Sequence, residues 1–212
     1  MTVYRDRREA GQMLAHNLRA YDGSEKVIVL GLPRGGVQVA EEVARGLHAP
    51  LDVILLRKLP YPPQPELAVG AMAEDGTTFI NEEFRNAVDQ RPDWLEPNLH
   101  EQMGVIRKRA RLYRTHRHPI TIRGKTVILV DDGIATGATM IVAIRAVRAA
   151  GAAKVVVAVP IASPSSLREM EALADEVVCL SAPSDFYAVG QAYLSFDQVS
   201  DEEVCRILDR NA

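Results

Sequence analysis

Apolar positions recur along the chain with two periods, and the alternation between them predicts its elements. Ala10, Met13, Leu14 and Leu18 fall at helical spacing, so residues 5–20 predict an amphipathic helix. Lys26–Leu32 (KVIVLGL) reads as a buried strand, because its β-branched residues run on without a polar face. Gly35-Gly36 turns the chain, and Val37, Ala40, Val43, Ala44 and Leu47 mark one face of a second helix. Asp52–Leu56 predicts a second strand. Leu67–Ala73 and Thr77–Ile80 flank Asp75-Gly76, a hairpin signal. Residues 93–114 predict a long, strongly charged helix. A strand at 127–131 and a helix at 138–150 follow, with Gly151 as the stop. Lys154–Val159 and Val177–Leu180 are further strands. Between them Ser163-Pro164 opens a helix over 165–173, and a last helix covers about 200–210.

Strands that alternate with helices and are apolar on both faces predict an α/β protein, a parallel sheet covered on both sides. Ligands of such sheets bind beyond the carboxyl ends of the strands, where the strand order reverses. The loops after Leu32, Leu56, Val130, Val159 and Leu180 are therefore where chemistry is expected.

Composition narrows this only a little. The 212 residues suit one domain, or one domain with a small cap. A hydrophobic share of 47% with 25% charged residues excludes disordered, collagenous and coiled-coil classes. A net charge of −3 calls for neither nucleic acid nor an anionic membrane. Cys179 and Cys205 have no metal or redox spacing, which fits a reducing cytosol, and a cytoplasmic location is expected. The opening MTVYRDRREAG has no apolar stretch and reads as no signal peptide. No apolar run is long enough to cross a bilayer.

Chemistry concentrates at Val127–Thr139, VILVDDGIATGAT. Two adjacent carboxylates, Asp131 and Asp132, repel each other, and packing has no use for them. Ala135-Thr136-Gly137-Ala138-Thr139 then opens a helix, whose start offers unpaired N–H groups and a positive partial charge. Small residues let the backbone approach a ligand, and the threonine hydroxyls add donors. This is a phosphate site. Carboxylates beside it suit the hydroxyls of a sugar, so the simplest ligand is a sugar phosphate. The Walker spacing Gly-x-x-x-x-Gly-Lys-Ser/Thr is absent.

VILVDDGIATGAT resembles the phosphoribosyl pyrophosphate (PRPP) motif of the type I phosphoribosyltransferases. The resemblance implies their three-layer parallel-sheet fold, with a Rossmann-like core over about residues 26–160. It also implies a small hood from about 1–25 and 181–212, all within a single domain, 1–212. GLPRGGV, Gly31–Val37, is similar to the family's pyrophosphate loop. There Arg34, with the N–H groups near Gly35 and Gly36, would grip a diphosphate through its bidentate fork. The same likeness implies a cis peptide between Pro33 and Arg34. Arg57-Lys58 is similar to the Arg-Lys pair that adenine phosphoribosyltransferases bring to the pyrophosphate. Leu59–Glu66, with four prolines, is the candidate for the family's mobile loop. Glu66 either orients substrate or is a solvated acid.

In this family a base nitrogen displaces pyrophosphate from C1 of the ribose, with inversion, through an oxocarbenium-like transition state. By resemblance the catalytic residues are Arg34, Lys58, Asp131 and Asp132. PRPP binding extends to Pro33, Gly35, Gly36, Arg57, Ala135, Thr136, Gly137, Ala138 and Thr139. Mg2+ is the implied cofactor, held mainly on PRPP and touched by Asp132 through water. A homo-oligomer, a dimer, is the implied assembly.

Pro183–Gly190 (PSDFYAVG) is similar to the hood of hypoxanthine enzymes, where an aromatic residue stacks on the purine. Phe186 or Tyr187 would take that place, Phe186 being equally suited to the core. Hypoxanthine enzymes carry an aspartate immediately before Thr-Gly, however. Ala135 stands there, as in adenine enzymes, so the purine is left open. YRDRREAG is similar to a group of bacterial phosphoribosyltransferases, a likeness that names no acceptor. The expected function is transfer of phosphoribosyl from PRPP to a nitrogenous acceptor, a purine base, in nucleotide salvage. The alternatives are a PRPP-binding regulator acting on RNA or DNA, or a transferase with a non-nucleobase acceptor. The basic run Arg107–His118 would serve the regulator, but reads first as a solvated helix face or an oligomer contact. His116 and His118 lack a cysteine partner for a metal.

Overall fold

The chain's consecutive apolar runs become strands of a parallel sheet, and its 3.6-period stretches become the helices that cover it. The structure, a computed structural model, describes residues 3–61, 64–115 and 117–211, apart from the side chains of Pro65, Glu66, Leu67 and Pro92. In order the elements are α1 (Arg7–Asn17), β1 (Val27–Gly31), α2 (Gly35–Gly46), β2 (Leu51–Val53), β3 (Leu56–Tyr61), β4 (Gln64–Ala73) and β5 (Thr78–Ile80). There follow α3 (Glu82–Asp89), α4 (Pro92–Tyr113), β6 (Thr126–Val130), α5 (Ala138–Ala149), β7 (Lys154–Ile161), α6 (Pro164–Leu173), β8 (Glu176–Ser181) and α7 (Asp201–Arg210). No helix among the described residues is long and apolar enough to cross a membrane.

Five strands form one parallel sheet in the order β2-β1-β6-β7-β8. Alternate residues feed two cores, as a pleated strand requires. Val27, Val29, Ile128, Val130, Val156 and Ala158 pack with α2 and α7 on one face. Ile28, Leu30, Val127, Leu129, Val155 and Val157 pack with α5 on the other. The fold is thus the expected mixed α/β arrangement of three layers. After β1 the chain crosses to β2 on one side, and it returns at β6 on the other. The strand order reverses between β1 and β6, which opens a crevice at their carboxyl ends.

Three expectations are corrected. Asp52–Leu56 is not one strand. β2 ends at Val53, and Leu56 begins β3 of a separate three-stranded antiparallel sheet, β3-β4-β5. The run stays apolar because Ile54 and Leu55, between the two sheets, are buried as well. Of the span Leu59–Glu66, the described residues 59–61 and 64–66 are strand rather than loop: β3 pairs with β4 through Leu59 and Gly70, and the ladder shifts register on either side of Pro60, which has no N–H to give. Pro62 and Pro63 and the side chain of Glu66 lie outside the described residues. α1 and α7, expected in the hood, join the main core through Leu14, Leu18, Val204, Ile207 and Leu208. The Asp75-Gly76 hairpin forms as expected, with Thr77 N donating to Asp75 Oδ1 at 2.9 Å. α3 was not foreseen, since Val88 is its one buried residue.

Arg114, after α4, bolts the two sheets together. It donates to the Val53 carbonyl and to Glu74 Oε1, each at 3.0 Å, and its Nε lies 3.6 Å from Asp52 Oδ1. Asp52 is 1% exposed, so removing its counter-charge leaves a carboxylate buried without an ionic partner. Arg114→Leu is expected to lower the stability by about 3 kcal/mol in urea unfolding. A loss below about 0.5 kcal/mol would remove the bolt from this account.

Candidate functional site

The loops that leave β1 and β6 meet in the crevice. Leu32 N donates to the Val130 carbonyl at 2.8 Å, which ties them at the root. The Pro33–Arg34 peptide is cis, as the resemblance implied. Gly35 and Gly36 then open α2 against the acidic pair. A Cβ on Gly35 would lie 1.9 Å from Asp132 Oδ2, and one on Gly36 would lie 2.8 Å from Asp131 Cα. Only glycine permits this approach, which explains the pair in GLPRGGV.

The two carboxylates differ. Arg7 Nε donates to Asp132 Oδ2 at 2.8 Å, and both side chains are largely buried. Arg7 also donates to the Asp197 carbonyl at 2.8 Å, and its guanidinium lies 3.9 Å from the Phe196 ring centre. Tyr193 Oη donates to the Asp132 carbonyl at 2.6 Å. Burial holds the Tyr193 hydroxyl protonated, so it stays a donor. Asp131 has no cation in contact among the described residues. Burial, and then the charge of Asp132, pushes its carboxyl well above the usual carboxylate range. Asp131 Oδ1 accepts from Asp132 N at 2.8 Å.

Beyond the acidic pair, Gly137 takes a left-handed conformation (φ 76°) and opens α5 without a side-chain cap. The first N–H groups of that helix are left for a ligand or water. Ser163 and Ser166 hold the loop from behind, donating to the Ala135 carbonyl at 2.9 and 2.7 Å. Asp131, Ala135, Thr136, Gly137 and Thr139 line a hollow of about 190 Å3, with Lys58 at its edge. Ala138 sits buried at the first helical position.

Lys58 and Thr139 also border a larger open cleft of about 620 Å3, lined further by Pro33, Arg57, Gln102 and Arg109. Arg57 and Lys58 lie on β3 rather than in a loop, opposite Met72 and Ala71. Arg57 Nε donates to Gln102 Oε1 at 3.1 Å. Burial, and then the charge of Arg109, makes the Arg57 guanidinium less basic than usual. The Arg34 side chain has no hydrogen bond or ion pair among the described residues.

The structure therefore brings together Pro33, Gly35, Gly36, Asp131, Asp132, the 135–139 loop, Arg57 and Lys58. Phe186 and Tyr187 are not in this group. Phe186 packs half-buried against the cluster of Tyr4, Ala10, Ile161, Ala192 and Tyr193, and Tyr187 is 87% exposed. Val189 lines the smaller hollow instead. His118 is exposed and His116 lies outside the described residues. Arg7 and Tyr193 were missed. Arg7 carries a readable signal, since it sits on the stripe Arg7, Ala10, Leu14 that α1 buries. A charge on such a stripe has to find a partner.

Residues 6–197 match the family model described as phosphoribosyl transferase domain. A relative from Mycobacterium tuberculosis (strain CDC 1551 / Oshkosh), provisionally named a phosphoribosyl transferase, is 46% identical over 210 residues, which is 99% of this chain and 47% of the relative. The chain thus spans about half the length of that curated relative. The crystal structure of TT1426 from Thermus thermophilus is similar over the whole of both chains, with 48% identity and a TM-score of 0.86. A hypoxanthine-guanine phosphoribosyltransferase from Bacillus anthracis shares the fold at 14% identity and a TM-score of 0.50, over 88% of this chain and 86% of that one. The chain belongs to the phosphoribosyl transferase domain family and has the type I phosphoribosyltransferase fold.

Proposed function

We propose that the crevice binds PRPP and transfers its phosphoribosyl group to a nitrogenous acceptor, a purine base, releasing pyrophosphate. The observation that carries this reading is the contact of the glycine pair with the acidic pair beside the uncapped start of α5. It sets acceptors for sugar hydroxyls next to donors for a phosphate. The 5-phosphate lies on Thr136, Gly137, Ala138 and Thr139. Ribose hydroxyls meet Asp131 and the Oδ1 of Asp132, whose Oδ2 Arg7 already holds.

The acceptor nitrogen bonds to C1 as the C1–O bond to pyrophosphate breaks, and the bonding pair leaves with the pyrophosphate. Arg34, Arg57 and Lys58 receive that growing negative charge, where fixed cations act most strongly. Among the described residues no group of three or more His, Cys, Asp or Glu side chains could hold a metal. Mg2+ would be carried mainly by PRPP oxygens, with Asp132 reached through water. When bound, Mg2+ supplies positive charge beside the pyrophosphate. The protein's own part is to align the reactants and exclude water from C1.

Pyrophosphate release from PRPP and Mg2+ is expected with at least one base of a purine and pyrimidine panel, and not in an Asp131→Asn/Asp132→Asn variant. PRPP binding with release from no base would end the nucleobase reading. Arg7→Leu leaves Asp132 unheld, and kcat/KM is expected to fall roughly 10- to 100-fold. An unchanged value would show that Arg7 only braces the fold. Asp131→Asn relieves a buried, crowded carboxylate while keeping its hydrogen bond, so Tm is expected to rise as activity disappears. A lower Tm would contradict that view of Asp131.

A further inference from the structure

The face that α4 turns to the core is apolar at Leu95, Leu99, Ile106 and Tyr113, at helical spacing. Asn98, Gln102 and Arg109 interrupt it. Asn98 and Gln102 are buried, and a buried polar group destabilises the fold unless it is paired. Asn98 Nδ2 donates to the Pro60 carbonyl at 3.0 Å, and Gln102 Oε1 accepts from Arg57 Nε at 3.1 Å. The Arg109 side chain has no hydrogen bond or ion pair among the described residues. It borders the 620 Å3 cleft together with Arg57 and Lys58.

Two further cations, Arg57 and Lys58, border the cleft with Arg109. Arg109 opposes the Arg57 charge directly, and both Arg109 and Arg34 bear on the Tyr113 hydroxyl. Two acids lie nearby. Glu101 lines the cleft, and Asp201 accepts from the Tyr113 hydroxyl. Neither forms an ion pair with Arg57 or Arg109 among the described residues. Gathered cations repel one another, and a cleft that gathers them is matched to an anion of high charge. In the sequence Arg109 belongs to the run Arg107–His118, read there as a solvated helix face. That reading holds for exposed Arg107 and Lys108, which point away, and not for Arg109.

We propose that Arg109, with Lys58 and with Arg57 steadied by Gln102, forms a diphosphate clamp, so that α4 as well as the strand ends grips the pyrophosphate of the ligand. Arg109 and Arg57 touch the anion, and Gln102 acts through Arg57 as a positioning residue. The clamp rests on the PRPP reading for its biological ligand, but inorganic pyrophosphate probes it alone.

The test is calorimetric titration with pyrophosphate, ribose 5-phosphate and PRPP, all with Mg2+, on the full chain and on Arg109→Gln, Gln102→Leu and Arg107→Gln. Arg109→Gln is expected to weaken pyrophosphate and PRPP about 10- to 100-fold, with ribose 5-phosphate changed less than about twofold. Gln102→Leu should weaken the same two ligands by less, and Arg107→Gln should change none. Equal losses for all three ligands would overturn the clamp, since Arg109 would then act through the fold. So would full pyrophosphate affinity in Arg109→Gln, or no pyrophosphate binding by the unaltered protein. Arg109-dependent binding of pyrophosphate with no binding of PRPP would support the clamp and remove the phosphoribosyl reading.

Discussion

The arrangement depends on one steric contact, the glycine pair that opens α2 pressed against the carboxylates that follow β6. The contact exists because β1 and β6 are hydrogen-bonded neighbours in parallel, with Gly31 opposite Val130. Both strands release their chains at the same height. α2 and α5 therefore begin side by side, each aiming the positive end of its dipole into the crevice. Any side chain at Gly35 or Gly36 would push these starts apart and open the site.

Around that contact the protein keeps charges of both signs unsatisfied. Asp131 is buried beside Asp132, and only Asp132 has a cation in contact among the described residues. On the other side Arg57 and Arg109 oppose each other over an open cleft. Neither half is arranged for stability. Each is arranged for a molecule that brings hydroxyls to one side and phosphates to the other, and such storage of unfavourable charge is typical of functional sites. Its cost is borne by a sheet whose central strands β1 and β6 are buried on both faces.

Much of this was legible in the sequence, for identifiable reasons. Runs such as Val127–Val130 and Val155–Val159 can be buried only on both faces, so they announced a parallel sheet. Asp75-Gly76 announced a hairpin through turn chemistry. The acidic pair and the Thr-Gly loop stood out because packing had no use for them. What failed to show was anything decided by distant parts of the chain. An apolar run such as DVILL does not say which sheet each half will join. Phe186 near Val189-Gly190 suggested a stacking partner by local likeness, whereas its half-buried place against the cluster of Tyr4, Ala10, Ile161, Ala192 and Tyr193 depends on residues that only the fold brings together. Arg109 was hidden inside a basic run, and helical phase separates it from Arg107.

The bonds of Arg7 also join distant parts of the chain. Its carboxylate partner lies 125 residues further along the chain, and its carbonyl partner 190 residues further. During synthesis β1, β2, β6 and β7 are all available to pair before Asp197 has been made. A chain emerging from the ribosome can thus build its central strands while Arg7 still lacks its carbonyl partner and the Phe196 ring. Closing a loop of 190 residues costs more chain entropy than closing a short one, a cost that an already ordered sheet reduces. The support for Asp132 is thus assembled from two remote segments, α1 and the stretch that carries Phe196 and Asp197.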